Sequence, residues 1–229
     1  MKPELPEGIE EFLHHCAVPG ARMHELFRLE DLRTRLEEAN RTTNLTRIVS
    51  PQEYWCKHVA DSLSIGLVFP QIFEQPLRLA DVGTGAGFPL LPLAWANPAL
   101  DAVGIESKPR KACFIEKAAE SLGFRNCTVV ARQVREVCDL PEYEASFDVV
   151  VARAVSSADR LVRECRRLLR PDSVSRIILY KTPRQLKKER AALERAARQS
   201  GMNAVYSCTF ELPLEGGERQ FVIITGDFR

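Results

Sequence analysis

The residues of this 229-residue chain that are best placed to do chemistry gather around one glycine-rich turn. Leu79-Ala80-Asp81-Val82-Gly83-Thr84-Gly85-Ala86-Gly87-Phe88 reads as a strand running into a turn that opens a helix. Glycines there permit a left-handed backbone and let N–H groups approach a ligand closely. A nicotinamide-dinucleotide fingerprint needs a further glycine at position 88, which is Phe. An acid followed by Gly-x-Gly-x-Gly suits instead a cofactor that brings no pyrophosphate. That makes Asp81, Gly83, Gly85, Gly87 and Phe88 candidate cofactor residues. A second strand candidate ends at Glu106, 19 residues past Gly87. A carboxylate at that strand end can accept both hydroxyls of a ribose in a bidentate, charge-assisted contact.

Other side chains surround this pair. His58 and Asp61 stand three apart and share one helix face. They either tie that helix to a neighbouring loop or lie beside the cofactor and the target. Arg110 and Lys111 fall in the first turn of the helix after Glu106. There they either meet phosphate at the mouth of the site or are simply solvated. A basic run follows: Arg160, Arg163, Arg166, Arg167 and Arg170, then Lys181, Arg184, Lys187 and Lys188. Residues 151–200 hold 14 Lys and Arg against 5 Asp and Glu, in a chain of net charge +1. That imbalance describes a pair of solvated helices or a positive face that meets an anion. As phosphate contacts these residues imply binding that weakens steeply with salt. Few aromatics interleave with them, so base stacking along that surface is not expected. Nor is a metal: His14, His15, Cys16 and His24 match no zinc spacing, and adjacent helical residues point apart.

These residues need elements to hold them. Leu26, Leu29, Leu32 and Leu36 form one stripe of an amphipathic helix that ends in the polar stretch Asn40-Arg41-Thr42-Thr43-Asn44. Ser50-Pro51-Gln52-Glu53 starts another helix, with Ser as cap and Pro at the first position, running to about Leu67. From Leu77 short apolar runs alternate with helical patterns. Strands are expected over 77–82, 102–106, 128–131, 147–152 and 176–180, and helices over 88–96, 109–122, 158–169 and 183–200. Such alternation means βαβ units and a parallel sheet. Residues 204–212 and 220–225 flank Pro213-Leu214-Glu215-Gly216-Gly217 with no room for a crossover helix, so they form an antiparallel hairpin. The expected architecture is an α/β, mostly parallel seven-stranded sheet with a reversed C-terminal hairpin strand, preceded by a helical extension. The boundary is expected near residue 75, with 1–75 as the extension and 76–229 as the cofactor-binding domain.

Composition fits this picture: 45% of residues are hydrophobic and 28% charged, as in ordinary globular proteins. No run of about 18 apolar residues occurs, so no membrane span is expected. The opening segment has no apolar core, and secretion is not expected. Seven cysteines without a Cys-x-x-Cys pair read as reduced thiols in a cytoplasmic chain. A monomer is expected.

The glycine turn resembles motif I of the Rossmann-like class I methyltransferases that use S-adenosyl-L-methionine, and Glu106 resembles their motif II acid. The likeness extends over about residues 40–225. Asn44-Leu45-Thr46-Arg47-Ile48, His58-Val59-Ala60-Asp61-Ser62, Asp81 through Pro89, Arg153-Ala154 and Gly217-Glu218-Arg219 occur in that order. Together they resemble the bacterial small-subunit ribosomal RNA guanine-N7 methyltransferase family, RsmG or glucose-inhibited division protein B. The resemblance implies S-adenosylmethionine as cofactor and small-subunit ribosomal RNA or the 30S particle as partner. It implies that the turn with Phe88 lines the methionine and ribose, that Glu106 holds the ribose, and that Val134 and Arg135 flank the adenine. It implies that Arg153 faces the reactive end of the cofactor or the target base, which makes it the best catalytic candidate. His58, Asp61, Arg110, Lys111 and Lys181 are the substrate-side candidates. The chain departs from the family pattern at Leu90, Gln133 and Thr182, where glycine, arginine and glycine are usual.

The residues also bear on the reaction. No Asn/Asp-Pro-Pro-aromatic turn follows the fourth strand, where Ala152-Arg153-Ala154-Val155 stands, which argues against exocyclic amine transfer. No cysteine is placed to attack a pyrimidine ring. A guanine N7 has a free lone pair and no proton to lose, so it needs only in-line positioning and exclusion of water. Two alternatives stay open: methylation of a small metabolite on the same fold, and a non-catalytic ribosome-assembly factor.

Overall fold

The computed structural model describes residues 3–48, 50–153, 158–171 and 174–226. Three helices open the chain: α1 (Ile9–His15), α2 (Gly20–Met23) and α3 (Phe27–Thr43). The leucine stripe of α3 buries Leu29, Leu32 and Leu36, and the helix ends at Asn44 in a left-handed conformation. The next helical stretch begins where Ser50 accepts the Glu53 N–H at 3.2 Å. It reaches Leu67, but not as one α-helix. A short α4 (Pro51–Glu53) passes into a π-helical segment, Tyr54–Ala60, then α5 (Asp61–Leu63) and a 3₁₀ turn, Ser64–Leu67. A π-helical segment breaks the 3.6-residue period, which is why side-chain periodicity does not foretell it, and such segments recur at functional sites.

The sheet follows. Its strands are β1 (Arg78–Val82), β2 (Asp101–Ile105), β3 (Cys127–Val130), β4 (Val149–Arg153), β5 (Arg176–Lys181), β6 (Met202–Tyr206), β7 (Phe210–Glu211) and β8 (Glu218–Gly226). Between them lie α6 (Leu90–Ala96), α7 (Pro109–Leu122), the short α8 (Val134–Val137), α9 (Ala158–Leu168) and α10 (Pro183–Gln199). The order is β3-β2-β1-β4-β5-β8-β6, and β7 pairs only with β8. The first five strands in that order are parallel, whereas β8 runs antiparallel to both β5 and β6. Because β8 is reversed, its first residues lie at the carboxyl ends of the parallel strands, with Gln220 opposite Lys181.

Strand residues alternate between two apolar layers. Leu79, Val149, Val151 and Ile178 face a cluster that includes Ile9, Leu13, Leu29 and Leu32 from the opening helices. Ala80, Val150, Ile177 and Leu179 face a second cluster, with Leu161 and Val162 of α9 and Leu186 and Leu193 of α10. Polar atoms fasten the opening helices to the rest. Tyr54 Oη donates to the Leu29 carbonyl at 2.7 Å, and Trp95 Nε1 donates to the Glu25 carbonyl at 3.2 Å. Among the described residues no helix is long and apolar enough to cross a membrane.

Gly66 marks the tightest of these contacts. A Cβ there would run into the Cys16 carbonyl oxygen and stand 2.5 Å from Phe73 Cε2. Gly66→Ala is therefore expected to cost about 1–3 kcal/mol, at the upper end because one obstacle is backbone. The urea midpoint measures it.

Candidate active site

The glycine turn at the end of β1 is held from below. Gly83 N–H donates to the Ile105 carbonyl at 2.8 Å, and Gly83, Gly85 and Gly87 adopt φ of 72°, 67° and 93°. The glycines serve different purposes. A Cβ on Gly87 would meet Leu91 Cδ1 at 2.6 Å, whereas one on Gly85 would find nothing nearer than the Gly83 carbonyl oxygen at 3.9 Å. The open space beside Gly85 is a cradle that a side chain would fill. Glu106, 6% exposed, closes it from the end of β2. Its Oε2 accepts the Gly85 N–H at 3.0 Å and its Oε1 accepts the Lys108 N–H at 2.8 Å. Each carboxylate oxygen keeps a second lone pair for a ligand.

Asp81 stands elsewhere than a contact residue would. It is fully buried behind the turn, where Oδ2 accepts the Leu90 N–H at 3.1 Å. Burial pushes its carboxyl up to about 6. Its Oδ1 and the Thr84 hydroxyl are buried with no hydrogen-bond partner among the described residues. Beside the turn runs a cleft of about 210 Å³ whose walls include Val82, Ile105, Ser107, Gln133, Val134 and Arg160. Val134 is part of that wall; Arg135 is exposed and is not. A cradle, a strand-end carboxylate and a cleft with apolar walls together fit a nucleoside-bearing cofactor.

A second constellation forms around Arg153 at the end of β4. Its Nη1 donates to the Lys57 carbonyl at 2.7 Å and to Asp61 Oδ2 at 3.0 Å. Its Nη2 meets His58 Nδ1 at 3.3 Å. A guanidinium can only donate, so Nδ1 accepts, and the ring proton sits on Nε2, 3.1 Å from Thr46 Oγ1. Burial, reinforced by the Arg153 charge, pushes the His58 imidazole well below its ordinary pKa. The same ring stacks on Phe88 with centroids 4.1 Å apart and planes 9° from parallel. Asp61 is 3% exposed, and its other oxygen, Oδ1, accepts from Arg219 Nε at 2.9 Å. One buried carboxylate thus bridges two guanidiniums. Lys181 is also buried and pairs with Glu189 at 2.7 Å. A pocket of about 290 Å³ opens here, lined by Lys57, Asp61, Arg153, Lys181, Gln185 and Arg219 among others.

The structure brings His58, Asp61, Arg153 and Phe88 together and sets Lys181 beside them. Arg110 is exposed and Lys111 half-buried, away from that cluster on the first turn of α7. In the sequence Thr46 and Arg219 are only letters of short motifs; their roles as partners of His58 and Asp61 emerge from the packing. Lys57 and Gln185 carried no signal. The three departures from the family pattern each have local work. Leu90 offers its N–H to Asp81, and its Cδ2 fills the space a Cβ on Gly104 would need. Gln133 caps α8 and Thr182 caps α10, each in a reciprocal capping box. Ala154 and Val155 lie outside the described residues. The basic run on α9 is not a bare cationic face. Arg160 pairs with Glu164 at 2.8 Å, Arg167 with Asp139 at 2.8 Å, and Arg170 with Asp148. Among the described residues no cluster of three or more His, Cys, Asp or Glu is placed to hold a metal ion.

A doubly wound sheet with this cradle at the end of its first strand and an acid at the end of its second defines the chain as an S-adenosylmethionine-dependent methyltransferase. Solved structures share the fold. A SAM dependent methyltransferase from Aquifex aeolicus superposes with a TM-score of 0.53 at 16% identity, over 69% of this chain and 86% of that one. TrmN from Thermus thermophilus gives 0.54 at 15% identity, over 72% and 48%. Sequence goes further than fold. Residues 25–214 match the GidB family, described as rRNA small subunit methyltransferase G. The chain is 33% identical over 224 residues to the ribosomal RNA small subunit methyltransferase G of Trichormus variabilis, covering 95% of this chain and 87% of that protein. It is 40% identical over 189 residues to that of Solibacter usitatus, covering 82% and 84%. The chain belongs to the GidB family.

Two outcomes are expected from the Arg153 cluster. Asp61→Ala leaves two partly buried guanidiniums without their carboxylate and should cost about 3–5 kcal/mol in urea unfolding. Arg219→Gln should cost less, because Asp61 keeps Arg153. The depressed His58 pKa means that the unfolded chain takes up a proton that the folded chain refuses. Stability from this residue is therefore full above pH 6.5 and is lost as pH falls below that value. Midpoints measured at pH 7.5 and 5.5 should converge in His58→Asn relative to the parent chain.

Proposed function

We propose that this chain transfers the methyl group of S-adenosylmethionine to N7 of a guanine in small-subunit ribosomal RNA. Membership of the GidB family supports the substrate class. The observation that supports the choice of atom is that, among the described residues, the two acceptors nearest Arg153, His58 and Asp61, are both engaged in holding guanidiniums or a hydroxyl. His58 has both ring nitrogens engaged, and Asp61 has each oxygen in a guanidinium pair. Asp81, the carboxyl with a raised pKa, is sealed behind the turn. Acceptors tied up in this way suit a target atom that carries its own lone pair and loses no proton, as guanine N7 does.

In this reading Gly83, Gly85, Gly87 and Phe88 line the methionine and ribose, and Glu106 takes the ribose hydroxyls with its remaining lone pairs. Val134 packs on the adenine in the cleft beside β2, and Asp81 supports the turn from behind. The cofactor supplies an electrophilic methyl on a sulfonium sulfur. Arg153, with its Nη1 and Nη2 held by Asp61, Lys57 and His58, presents a fixed guanidinium to the target side. His58, Asp61 and Lys181 shape that side, and Arg110 and Lys111 meet phosphate outside it. The target guanine must be in a loop or turned out of its stack to reach the site. A cytoplasmic monomer acting on free RNA or on the 30S particle completes the proposal.

Labelled S-adenosylmethionine, with small subunits and deproteinised RNA from a host lacking the modification, tests it. After digestion to nucleosides the label is expected in 7-methylguanosine. Gly85→Leu, which fills the cradle at a φ of 67°, should lower transfer on the order of 100-fold while leaving the circular dichroism unchanged. Label in another nucleoside would overturn the choice of atom. Cofactor binding with no labelled RNA would move the substrate to a small metabolite, and no cofactor binding would leave an assembly factor.

A further inference from the structure

The ion pairs divide the chain's cations into two populations, and the division has a geometry. Those on α3 and α9 are largely neutralised in place. Arg33 pairs with Glu30 and Glu37, Arg160 with Glu164, and Arg167 with Asp139 and Glu144. Even the arginine and lysine side chains that line the pocket at Arg153 are matched: Lys57 with Glu53, Lys181 with Glu189, and Arg153 and Arg219 with Asp61. Along the carboxyl ends of the parallel strands the situation reverses. Lys108 and Arg110 follow β2, Arg132 and Arg135 follow β3, and Arg184 and Lys187 follow β5. All six are exposed, and among the described residues none has an ion pair.

We infer that these six side chains, with the half-buried Lys111 beside Arg110, are the main phosphate contacts of the RNA and that they form two arms on either side of the cofactor turn. The inference rests on the reading of the substrate as RNA. Strand order supplies the spacing. With β3-β2-β1-β4-β5 as neighbours, four steps of about 4.8 Å separate the outer strands, so the arms are about 19 Å apart with the glycine turn and Arg153 between them. A nucleic-acid strand laid across both arms passes over the site, and the base above Arg153 is the one presented to it. The pairing pattern gives the arms their reason. A cation with an intramolecular acid gains little from a phosphate, because it must give up the partner it has. An exposed unpaired one gains both the contact and the release of condensed counterions. The α9 run, the most basic stretch in the sequence, is excluded as the main phosphate surface by the same criterion.

Two triple variants with the same charge change test this. One removes an arm: Lys108→Gln, Arg110→Gln and Arg135→Gln. The other removes three exposed arginines at the opposite edge of the sheet that, among the described residues, also make no ion pair within 4.0 Å: Arg125→Gln, Arg195→Gln and Arg198→Gln. Binding of deproteinised small-subunit RNA is read by filter retention between 50 and about 300 mM salt, alongside the Kd for S-adenosylmethionine. The arm variant is expected to lose roughly 10- to 100-fold in RNA affinity near 0.1 M salt, and its plot of log K against log salt should flatten by about 2. Its cofactor Kd should be unchanged, and the control triple should bind RNA within a factor of about 3 of the parent chain. Equal weakening of both triples, or of neither, would overturn the arms and leave the proposed reaction standing if 7-methylguanosine still forms. Selective weakening of the arm variant in a chain that forms no 7-methylguanosine would keep the arms and overturn the reaction.

Discussion

A single carboxylate holds this molecule's functional half in register. Asp61 is buried between Arg153 at the end of β4 and Arg219 at the start of β8. In water two guanidiniums repel; here they converge because one acid with two oxygens serves both. The geometry also satisfies the cost of burying three charges, since each oxygen meets an N–H at hydrogen-bonding distance. His58 extends the arrangement through Arg153 to Phe88, the last residue of the glycine turn region to face it. The glycine turn and the pocket at Arg153 are therefore not two features that happen to adjoin. They are joined through one stacked pair of rings and one guanidinium.

The cradle itself is built by exclusion. Three glycines take left-handed angles; Gly85 leaves open space, whereas Leu91 crowds Gly87. Asp81 fixes the start of α6 through the Leu90 N–H, and Leu90 in turn occupies the hollow above Gly104. A substitution at any of these positions is felt at the turn. The departure at Leu90 is thus matched by Gly104 on the neighbouring strand, a pairing of large and small that keeps the packing dense.

Much of this could be read from the residues in order. The apolar runs from Leu79 to Leu179 and the glycine punctuation yielded the strands and their parallel pairing, because both faces of the sheet are buried. Ser50 and Pro51 announced a helix start that the hydrogen bond from Glu53 bears out. The π-helical segment at Tyr54–Ala60 could not be read, since it is set by tertiary contacts of Tyr54 and His58 and not by local propensity. The cofactor turn carried its own spacing signal. The Asp61 bridge did not, because Arg153 and Arg219 lie 92 and 158 residues away and nothing local marks either as its partner. Net charge could not choose between a solvated face and an anion-meeting one for a related reason. Counting Lys and Arg over 151–200 takes no account of acids supplied by other parts of the chain, and Asp139, Glu144 and Asp148 supply them.

The reversed direction of β8 has a consequence for the order of assembly. Because that strand enters the sheet at the carboxyl edge, Arg219 reaches a carboxylate placed 158 residues earlier. A growing chain that has not yet made residue 219 already contains the glycine turn, Glu106, Arg153 and Asp61. It lacks β8, so β5 keeps an open edge and Asp61 keeps one oxygen without its guanidinium. Long-range closures of this kind come late in folding. The glycine turn, Glu106 and the contacts of Arg153 are all present in sequence before residue 219, so the Asp61 bridge is closed in a last step made by one strand.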